Sequence, residues 1–454
     1  MNGGLSMAEM KSGYKMTDVG VIPEDWEVKE FNETFSVIPN NSLSRDYLNT
    51  QAGEYHDIHY GDVLIKYGAL LDAGNTEIPF INKAITDKWV NRRIVTEGDI
   101  IMADTAEDNT VGKCSEVINV NHKKIVSGLH TFWLHPNEGL FEKGFLGYFM
   151  NHSLYHNQLL PLIHGTKVSS VSKNEILGTR VLVPLKNEQT AIAAALSDVD
   201  SLISALTKKI EKKKAIKQGL MQQLLTGKKR LPGYKGLALV KNEKMEYPGD
   251  WDVVKLGDLC RIITKQTGFD YSATIKPSLR TSRGLGVLPF IQNKDFEGYK
   301  INFNTDFYIP KDVAMQFPQI LLDEPSLLVS ISGRIGNVGY YLSSKLAFIG
   351  GAICVAKFWK KEYIPWVMLY LQSNKGQNEI FMNEKAGAQH NITVEAIRNF
   401  RIPMPSISEQ TAISNILSDC DSEIAALEEK RDKYKEIKQG MMQQLLTGKI
   451  RLIK

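Results

Sequence analysis

The sequence lacks the features that mark secreted, membrane-spanning or strongly basic proteins. It has four cysteines in 454 residues, none of them in a CxxC pair, which favours reduced thiols and a cytoplasmic location. It contains no run of about 18 consecutive apolar residues, so we predict no membrane span. The net charge is only +4. This charge is compatible with nucleic-acid binding, but the binding surface would have to be a local basic patch.

What the sequence does contain is a long internal repeat. Residues 221–231 read MQQLLTGKKRL and residues 442–452 read MQQLLTGKIRL. The similarity extends back to EQTAIAAALSDVDSLISAL from Glu188 and EQTAISNILSDCDSEIAAL from Glu409, an offset of 409 − 188 = 221 residues at which about two-thirds of the paired positions are identical. This period is far longer than that of solenoid repeats, so the repeated unit is a domain.

Each preserved segment is predicted to form one long helix. Apolar residues recur from Ile192 at alternating steps of four and three, which is heptad a and d spacing, and the second copy keeps this register from Ile413. Gly227 and Gly448 suit left-handed helix ends. A helix of about 35–40 residues with so narrow a stripe is unstable alone. We expect an antiparallel pair, because helix 1 leads away from domain 1 and helix 2 has to run back.

The predicted seam between the helices is partly polar, with lysine or arginine at Lys213, Lys217, Arg431 and Lys438, and the run KKIEKKK at 208–214 is basic. These side chains either form a solvated helix face or meet another subunit or a phosphate backbone. The sequence leaves both interpretations open.

The segments in front of the helices diverge, yet they open alike with PEDWEV at Pro23 and PGDWDV at Pro248. Two heads of similar size held by a preserved rod indicate two recognition domains with different targets. We predict two tandem α/β (α+β) domains joined by an antiparallel coiled coil with pseudo-two-fold symmetry. The predicted boundaries are a lead-in at 1–22, domain 1 at 23–187, helical region 1 at 188–231, domain 2 at 232–408 and helical region 2 at 409–454.

This order of motifs resembles the specificity subunit of type I restriction-modification enzymes. The resemblance covers the chain from about Gly20, and the segments that carry it are GVIPEDWEV, YPGDWDVVKLGDL, VPLKNEQTAIAAALSDVD, IPMPSISEQTAISNILSDCD, IKQGLMQQLLTGK and IKQGMMQQLLTGK. It implies a non-catalytic, double-stranded-DNA-binding subunit in which each domain reads one half of a split site. It further implies that the helices set the spacing and dock two modification subunits, and that restriction subunits join the complex.

The resemblance places S-adenosylmethionine on the modification subunits, and ATP and magnesium on partner subunits. The sequence agrees, since it has no Asn-Pro-Pro-Phe-like or Asp-Pro-Pro-Tyr-like methyltransferase motif. Gly227-Lys228 is not a phosphate-binding loop, because the preceding Gly219 is eight positions back and no serine or threonine follows the lysine. His152 and His156 lie one helical turn apart without a third ligand, so no metal is expected. We therefore expect no cofactor in this chain.

Three pairs of loops supply candidate DNA contacts. The first pair is SISGRIGNVGYY at 330–341, whose glycines permit close backbone approach and whose arginine suits guanine, and MADTAEDNTVGKC at 102–114. The second pair is HGTKVSSVS at 164–172 and AGAQHNITV at 386–394, in which Ser172 and Thr393 are predicted helix caps. The third pair is HDIHYGDVLIKYG at 56–68 and FIQNKDFEGYK at 290–300. The residues predicted to contact DNA are Tyr60, Lys66, Thr105, Asn109, Lys113, Lys167, Ser169, Ser170, Gln292, Asn293, Lys294, Ser332, Arg334, Asn337, Gln389, His390 and Asn391.

Each of these loops also has an ordinary interpretation as a hairpin turn or a solvated polar loop. For the whole chain, the alternative function is a stand-alone magnesium-dependent DNA endonuclease. Asp18, with Glu27 and Lys29, loosely resembles the carboxylate and lysine cluster that such nucleases use. The second half offers only Asp252 and Lys255 at a different spacing, although a duplicated active site would preserve its chemistry.

Overall fold

The computed structural model describes residues 12–86, 93–165, 168–234, 236–241, 246–342, 345–384 and 391–453. The chain divides into two compact units, the first comprising Met1–Thr207 with Glu428–Lys454 and the second comprising Lys208–Leu427. Each unit therefore contains one head and part of both long helices. The division passes through the helices, so the domain boundaries given above stay a prediction.

Unit 1 is a mixed α/β head. Its strands are β1 (Tyr14–Thr17), β2 (Gly20–Pro23), β3 (Glu27–Glu30), β4 (Phe35–Ile38), β5 (Leu48–Asn49), β6 (Tyr55–Ile58), β7 (Leu70–Asp72), β8 (Phe80–Ile81), β9 (Ile100–Ala103), β10 (Thr105–Ala106), β11 (Cys114–Ile118), β12 (Lys124–Ser127), β13 (Thr131–Pro136), β14 (Ser169–Ser170) and β15 (Arg180–Val183). Its helices are α1 (Phe31–Thr34), α2 (Tyr60–Ile65), α3 (Lys83–Thr86), α4 (Phe145–Met150), α5 (Ser153–Leu159), α6 (Lys173–Ile176) and the first part of α7 (Lys186–Leu224).

Two larger sheets form the framework of unit 1. One has the strand order β4-β13-β9-β11-β7, and the other has the order β12-β6-β8-β5. The central strand β9 is antiparallel to both neighbours, with Met102 opposite Cys114 on one side and Phe132 on the other. All four residues of β9 are buried, which explains why its sequence is continuously apolar and shows no alternation.

Unit 2 repeats this architecture. Its strands are β16 (Leu239–Lys241), β17 (Glu246–Pro248), β18 (Asp252–Lys255), β19 (Cys260–Lys265), β20 (Val287–Ile291), β21 (Phe296–Glu297), β22 (Lys300–Ile301), β23 (Tyr308–Pro310), β24 (Leu321–Leu322), β25 (Ser326–Ser330), β26 (Val338–Tyr341), β27 (Ala347–Ile349), β28 (Ile353–Phe358) and β29 (Arg401–Met404). Its helices are α8 (Leu256–Leu259), α9 (Gly268–Asp270), α10 (Lys276–Ser278), α11 (Lys311–Ala314), α12 (Ile364–Gln372), α13 (Asn374–Met382), α14 (Val394–Arg398) and the first part of α15 (Ile407–Leu445).

The sheets of unit 2 have the orders β19-β28-β25-β26 and β23-β20-β27-β24. Strand β20 pairs in parallel with β27, as β6 pairs in parallel with β12 in unit 1. In both units a short antiparallel pair at the start of the head, β3 with β15 and β18 with β29, brings the head's entry strand beside the strand that leads into the long helix.

The two long helices, α7 and α15, each contain 39 residues, as the heptad pattern predicted. Within unit 2, Lys217 pairs with Asp421 at 2.6 Å and Lys213 pairs with Glu423, so the two helix segments run antiparallel there. Within unit 1, Lys438 pairs with Asp200 at 2.7 Å. The predicted antiparallel packing is confirmed, and these three lysines of the predicted seam are neutralised by the opposite helix.

Helix α7 is also long and apolar enough over an 18-residue window to cross a membrane by length and composition. In the structure, however, Ile192 and Leu196 from this helix are fully buried in the core of unit 1. Asp200, one turn further along, accepts hydrogen bonds from Tyr148 and Lys438. The apolar stripe therefore serves protein packing.

The repeated phrase at the helix ends forms the same clasp in both units. In unit 1, Arg451 donates two hydrogen bonds to Asp25, at 2.8 and 3.0 Å, and two to Glu188, including one of 2.7 Å. Its guanidinium lies 5.9 Å from the centre of the Trp26 ring, and the indole N–H also donates to Glu188 at 2.8 Å. In unit 2, Arg230 makes the corresponding contacts with Asp250, Glu409 and Trp251.

Glycine completes each clasp. Gly448 has φ of +66° and Gly227 has φ of +68°, the left-handed conformation predicted for both helix ends. A side chain at either position would also collide with proline, because a Cβ at Gly448 would lie 2.4 Å from Pro23 and one at Gly227 would lie 2.2 Å from Pro248. The motifs LLTGKxR, PxDW and EQTAI are thus repeated because each helix end makes the same set of contacts with a head.

Candidate DNA-recognition surfaces

In unit 2, three of the predicted loops converge at the turn between β25 and β26. Gly333 and Gly336 adopt φ of +71° and +86°, which lets residues 331–337 reverse the chain tightly. The Ser330 hydroxyl fixes this turn by donating to the Arg334 carbonyl at 2.9 Å and accepting from the Asn337 amide at 2.8 Å. The glycine-rich loop is therefore a rigid, preorganised turn.

Asn293 ties the second loop to this turn. Its side-chain amide donates to the carbonyls of Ser332 at 3.1 Å and Arg334 at 2.7 Å, while its oxygen accepts from the Asn337 amide at 2.8 Å. Asn293 and Asn337, both predicted to contact DNA, thus use side-chain groups to hold each other. These two side chains stabilise the loop. A direct contact between either side-chain amide and a base would require these hydrogen bonds to break.

The third loop reaches the same place through Asn391. Ser332 and Asn391 form an isolated antiparallel bridge, and the Ile392 amide donates to the Ile331 carbonyl at 2.9 Å. Thr393 caps helix α14 by accepting from Ala396 at 3.1 Å, as predicted. Gln389 and His390, also predicted contacts, lie outside the described residues.

Arg334 is the side chain that this arrangement presents. It is exposed at the tip of the turn, its carbonyl is held by Ser330 and Asn293, and among the described residues its guanidinium has no hydrogen-bond or ion-pair partner. A fixed main chain with a free planar donor is the arrangement that bidentate recognition of a guanine edge or a phosphate needs.

The other two predicted contacts on the β20 loop have partners of their own. Gln292 caps the short 3-10 turn Asn293–Asp295 in a capping box with Asp295. Burial raises the pKa of the Asp295 carboxyl. The main-chain amide of Gln292 donates a hydrogen bond to this carboxyl, which acts in the opposite direction and lowers the pKa. Lys294 is exposed and pairs with Asp306 on the surface. Surface pairs of this kind are weak, so Lys294 remains available to an incoming phosphate.

In unit 1 the equivalent loops also meet. Strand β10 pairs with β14, which sets Thr105 opposite Ser170 and Ala106 opposite Ser169. The Thr105 hydroxyl donates to Asp104 at 2.7 Å, and Ser170 forms an isolated bridge with His164. Thr105, Ser169 and Ser170 are half-buried and form one small polar surface. Lys167, predicted beside them, lies outside the described residues.

Tyr60 joins this surface through a histidine that the sequence did not single out. His130 has φ of +56°, and its ring lies 3.3 Å from Asp104 and edge-on to Tyr60, with ring centres 5.4 Å apart. The main chain adds a bond from the Asp104 amide to the His130 carbonyl at 3.1 Å. His130 follows Gly128-Leu129 in a strand-to-strand turn, and no motif marks it. Only the fold brings it to the loop.

Of the three lysines predicted in unit 1, the two that the structure describes make internal contacts. Lys113 is half-buried and its ammonium donates to the Leu64 carbonyl near the end of α2, and burial lowers the pKa of that amine. Lys66 is exposed and donates to the Glu77 carbonyl at 3.0 Å. Asn109 is exposed, and its carbonyl accepts from His156 at 3.0 Å. Of these three, Lys113 has the least freedom to meet a nucleic acid.

The residues that suggested a nuclease are engaged elsewhere. Asp18 pairs with Arg180 at 3.1 Å, and Glu27 pairs with its neighbour Lys29 at 2.8 Å on the exposed edge of β3. The Lys29 pair lowers the pKa of the Glu27 carboxyl. Across the part of the chain that the structure describes, no group of three or more His, Cys, Asp and Glu side chains is arranged to hold a metal ion. No observation supports the endonuclease alternative.

Comparison with known proteins gives the family. The family model described as the type I restriction modification DNA specificity domain matches residues 23–218 and again residues 248–439. Two relatives from Methanocaldococcus jannaschii are type I restriction enzyme specificity subunits: MjaX is 27% identical over 97% of each chain, and MjaVIII is 25% identical over 95% of this chain and 94% of its own.

The fold also matches a solved structure. The type I restriction-modification S subunit from M. genitalium superposes with a TM-score of 0.53 at 13% identity, over 92% of this chain and 96% of that chain. The two matched segments together span most of the sequence, one in each head with its helix. The chain belongs to the type I restriction-modification DNA specificity family, as a non-catalytic sequence-specificity subunit with two recognition domains.

Proposed function

We propose that each unit reads one half of a bipartite double-stranded DNA site, through the loop cluster described above. The observation that carries the proposal is the convergence in unit 2 of three loops, distant in sequence, on the main chain of the turn that presents the exposed Arg334. Arginine donating to O6 and N7 of guanine is the commonest specific contact in the major groove. In unit 1 the corresponding surface carries Thr105, Ser169 and Ser170, so its half-site differs.

The unit 1 surface is less cationic than that of unit 2. Among the described residues, Asp104 lies within it, paired with His130, and the predicted contacts Lys113 and Lys66 donate to main-chain carbonyls. Hydroxyl groups and a carboxylate can recognise bases by accepting hydrogen bonds from the amino groups of cytosine or adenine. They do not attract the phosphate backbone. Much of the salt-dependent affinity is therefore assigned to unit 2 and to partner subunits.

The chemistry of modification and restriction is assigned to other chains. We propose that two modification subunits, which carry S-adenosylmethionine, and ATP-driven restriction subunits with magnesium assemble on this subunit in the cytoplasm. The long helices support this assignment. Outside the packed stripe, α7 and α15 expose charged side chains such as Lys209, Lys212 and Glu429, which leaves a broad surface for other subunits. The same helices are proposed to set the number of unspecified base pairs between the half-sites.

The proposal is tested by Arg334→Ala in the complex with the modification subunit. We expect loss of discrimination at one position of one half-site, worth about 1–3 kcal/mol if the contact to guanine is bidentate, with the other half-site unchanged. The measurement is methylation of a library of duplexes, with Arg401→Ala as the control, since Arg401 is an exposed arginine on β29 outside the cluster. Equal weakening on every sequence would reduce Arg334 to a phosphate contact, and unchanged selectivity would refute the proposed reading surface.

A further inference from the structure

Unit 2 carries a basic stretch that has no counterpart in unit 1. Residues 271–294, which lead into and through β20, contain Lys276, Arg280, Arg283 and Lys294 and no aspartate or glutamate. The equally long stretch 39–62, which leads through β6 in unit 1, contains one arginine and four acidic residues. The net charges of these two stretches are therefore +4 and −3 with histidine neutral, although β6 and β20 occupy equivalent places in their sheets.

The centre of this stretch is a projecting loop with fixed ends. At one end the main chains of Arg280 and Tyr308 exchange two hydrogen bonds of 2.8 Å. At the other end the Lys311 amide donates to the Gly286 carbonyl at 2.8 Å. Residues 281–285 between these anchors are exposed, and the Leu285 side chain at the tip is fully exposed. We name residues 280–286, RTSRGLG, the unit 2 arm.

The described part of the protein does not neutralise the cations of the arm. Among the residues that the structure describes, neither Arg280 nor Arg283 has an ion-pair or side-chain hydrogen-bond partner, in contrast to Lys294, which pairs with Asp306. In unit 1, Arg45 at the equivalent approach to β6 is bound to Asp62 at 2.8 Å and lies beside His59. Two guanidinium groups without a partner in the described protein are available to an anion, and the exposed Leu285 beside them can be buried against an apolar surface. An anionic ligand with an apolar interior would satisfy both.

We propose that the unit 2 arm enters the minor groove of the DNA beyond the half-site that unit 2 reads, with Arg283 in the groove and Leu285 against the base edges. This inference rests on the proposed function. Narrow minor grooves concentrate negative potential that attracts arginine, and minor-groove proteins commonly add an apolar wedge beside it. Gly284 and Gly286 flank the leucine without side chains, so the arm is slender enough for a groove about 6 Å wide.

The position of the arm agrees with this ligand. Strand β20 spans Val287–Ile291, so the arm lies at one end of the strand and the Gln292–Lys294 loop of the recognition cluster at the other. Five residues at about 3.3 Å each separate them by about 17 Å. A helical turn of DNA is about 34–36 Å, so a major groove and the next minor groove on one face are about 17 Å apart. With the cluster in a major groove, the arm reaches the adjacent minor groove about five base pairs away.

The test uses the full chain in complex with the modification subunit, on duplexes that carry its mapped methylation motif. Hydroxyl-radical footprinting should show minor-groove protection about five base pairs from the unit 2 half-site, and Arg283→Ala should remove it while protection of both half-sites stays. The slope of log affinity against log salt should become shallower by about 0.9 for each phosphate that is no longer neutralised once Arg280→Ala is added. Inosine–cytosine pairs placed at the protected position should bind as adenine–thymine pairs do, because their minor grooves match.

Lys311→Ala serves as the control for a nearby exposed cation outside the arm. An unchanged footprint in Arg283→Ala, or inosine–cytosine pairs that behave as guanine–cytosine pairs, would overturn the minor-groove assignment. Loss of assembly with the modification subunit at an unchanged footprint would show that the arm binds protein, which also overturns it. In the same assay Arg334→Ala tests the proposed function separately. If Arg283→Ala has no effect while Arg334→Ala changes the specificity, only the inference about the arm is wrong.

Discussion

The clasp in unit 1 allows a sharp prediction about stability, made by replacing Arg451 with alanine. Glu188 is fully buried, and Arg451 supplies two of the hydrogen bonds to its carboxylate, the third coming from the Trp26 indole. Removing the arginine leaves a buried charge without its counter-ion, which costs about 3–5 kcal/mol. The contact to Asp25 adds little, because that carboxylate is largely exposed and solvent screens it to about 0–1 kcal/mol.

The measurement is the urea-induced unfolding of the full chain, followed by hydrogen exchange of the amides of unit 1, for a series of variants. Asp25→Ala should cost under about 1 kcal/mol, since it removes only the exposed pair. Arg451→Met combined with Glu188→Leu should recover a large part of the loss, because replacing a buried ion pair by apolar residues is often close to neutral. This result would show that the buried charge of Glu188 causes the loss of stability and that Arg451 prevents it in the native protein.

Unit 2 offers a matched comparison for the same reasoning. Arg230 grips Glu409 and Asp250 as Arg451 grips Glu188 and Asp25, and Glu409 is also buried. Arg230→Ala should therefore unfold unit 2 at lower urea by a similar amount and leave the unit 1 transition in place. If Arg451→Ala costs no more than Asp25→Ala, or if the double replacement is worse than the single one, the buried carboxylate is not what the clasp neutralises.

Three further predictions concern pH, specificity and spacing. Burial raises the pKa of Asp57 to about 7 in the folded protein, so the folded state holds a proton that the unfolded chain releases near pH 4. The Asp57 proton makes the stability of unit 1 fall as pH rises from about 4 to 7, and Asp57→Asn should remove the Asp57 share of this slope and stabilise unit 1 by about 2–4 kcal/mol above pH 7, as measured by thermal unfolding at several pH values. Glu116, whose pKa burial also raises to about 7, should supply a similar share that the variant keeps. Exchanging residues 23–187 for the head of a related subunit should change one half of the methylated motif only, as sequencing of methylated DNA will reveal. Inserting four helical residues after Lys212 and four after Ala425 should lengthen the rod by about 6 Å and the unspecified gap by one or two base pairs, with both half-sites unchanged.

The position of the insertion shows how the structure refines the sequence. The repeat and the heptad spacing predicted the length of both helices, the order of the domains along the chain predicted their direction, and the glycines predicted their ends, because each of these can be read from the order of residues along the chain. From the sequence alone, a point after Leu225, just before the glycine that ends helix 1, is an obvious place to lengthen that helix. In the structure Leu225 is fully buried, beyond the last residue of α7 and inside the clasp. An insertion there would break the grip on Trp251, so the exposed middle of the helix is the better place.

The recognition surfaces were predicted less completely, for a physical reason. Glycines with positive φ and helix caps have local signals, so the turn at 331–337 and the cap at Thr393 were found from sequence. The role of Asn293 depends on a contact across 39 to 44 residues with Ser332 and Asn337, and no local pattern encodes it. Lys113 was predicted as a DNA contact by its charge, but it is satisfied by the carbonyl of Leu64, 49 residues away.

The contact between rod and head explains how the heads diverge while the rod is preserved. In unit 1 the pair Asp200–Lys438 is covered by Tyr148 from α4, whose hydroxyl donates to Asp200 at 2.8 Å while the lysine lies 5.2 Å from the ring centre. In unit 2 the equivalent pair, Asp421–Lys217, is covered by Tyr299 from the turn between β21 and β22, with the lysine 5.8 Å from that ring. The helices keep the same charged pair at the same offset of 221 residues, whereas the two heads supply the tyrosine from unrelated segments. The main contacts between the long helices and each head lie at the helix core, at this charged pair with its aromatic ring and at the clasp with PxDW. The described residues that form the recognition surfaces take no part in these contacts, so they are free to change with the DNA sequence that they read.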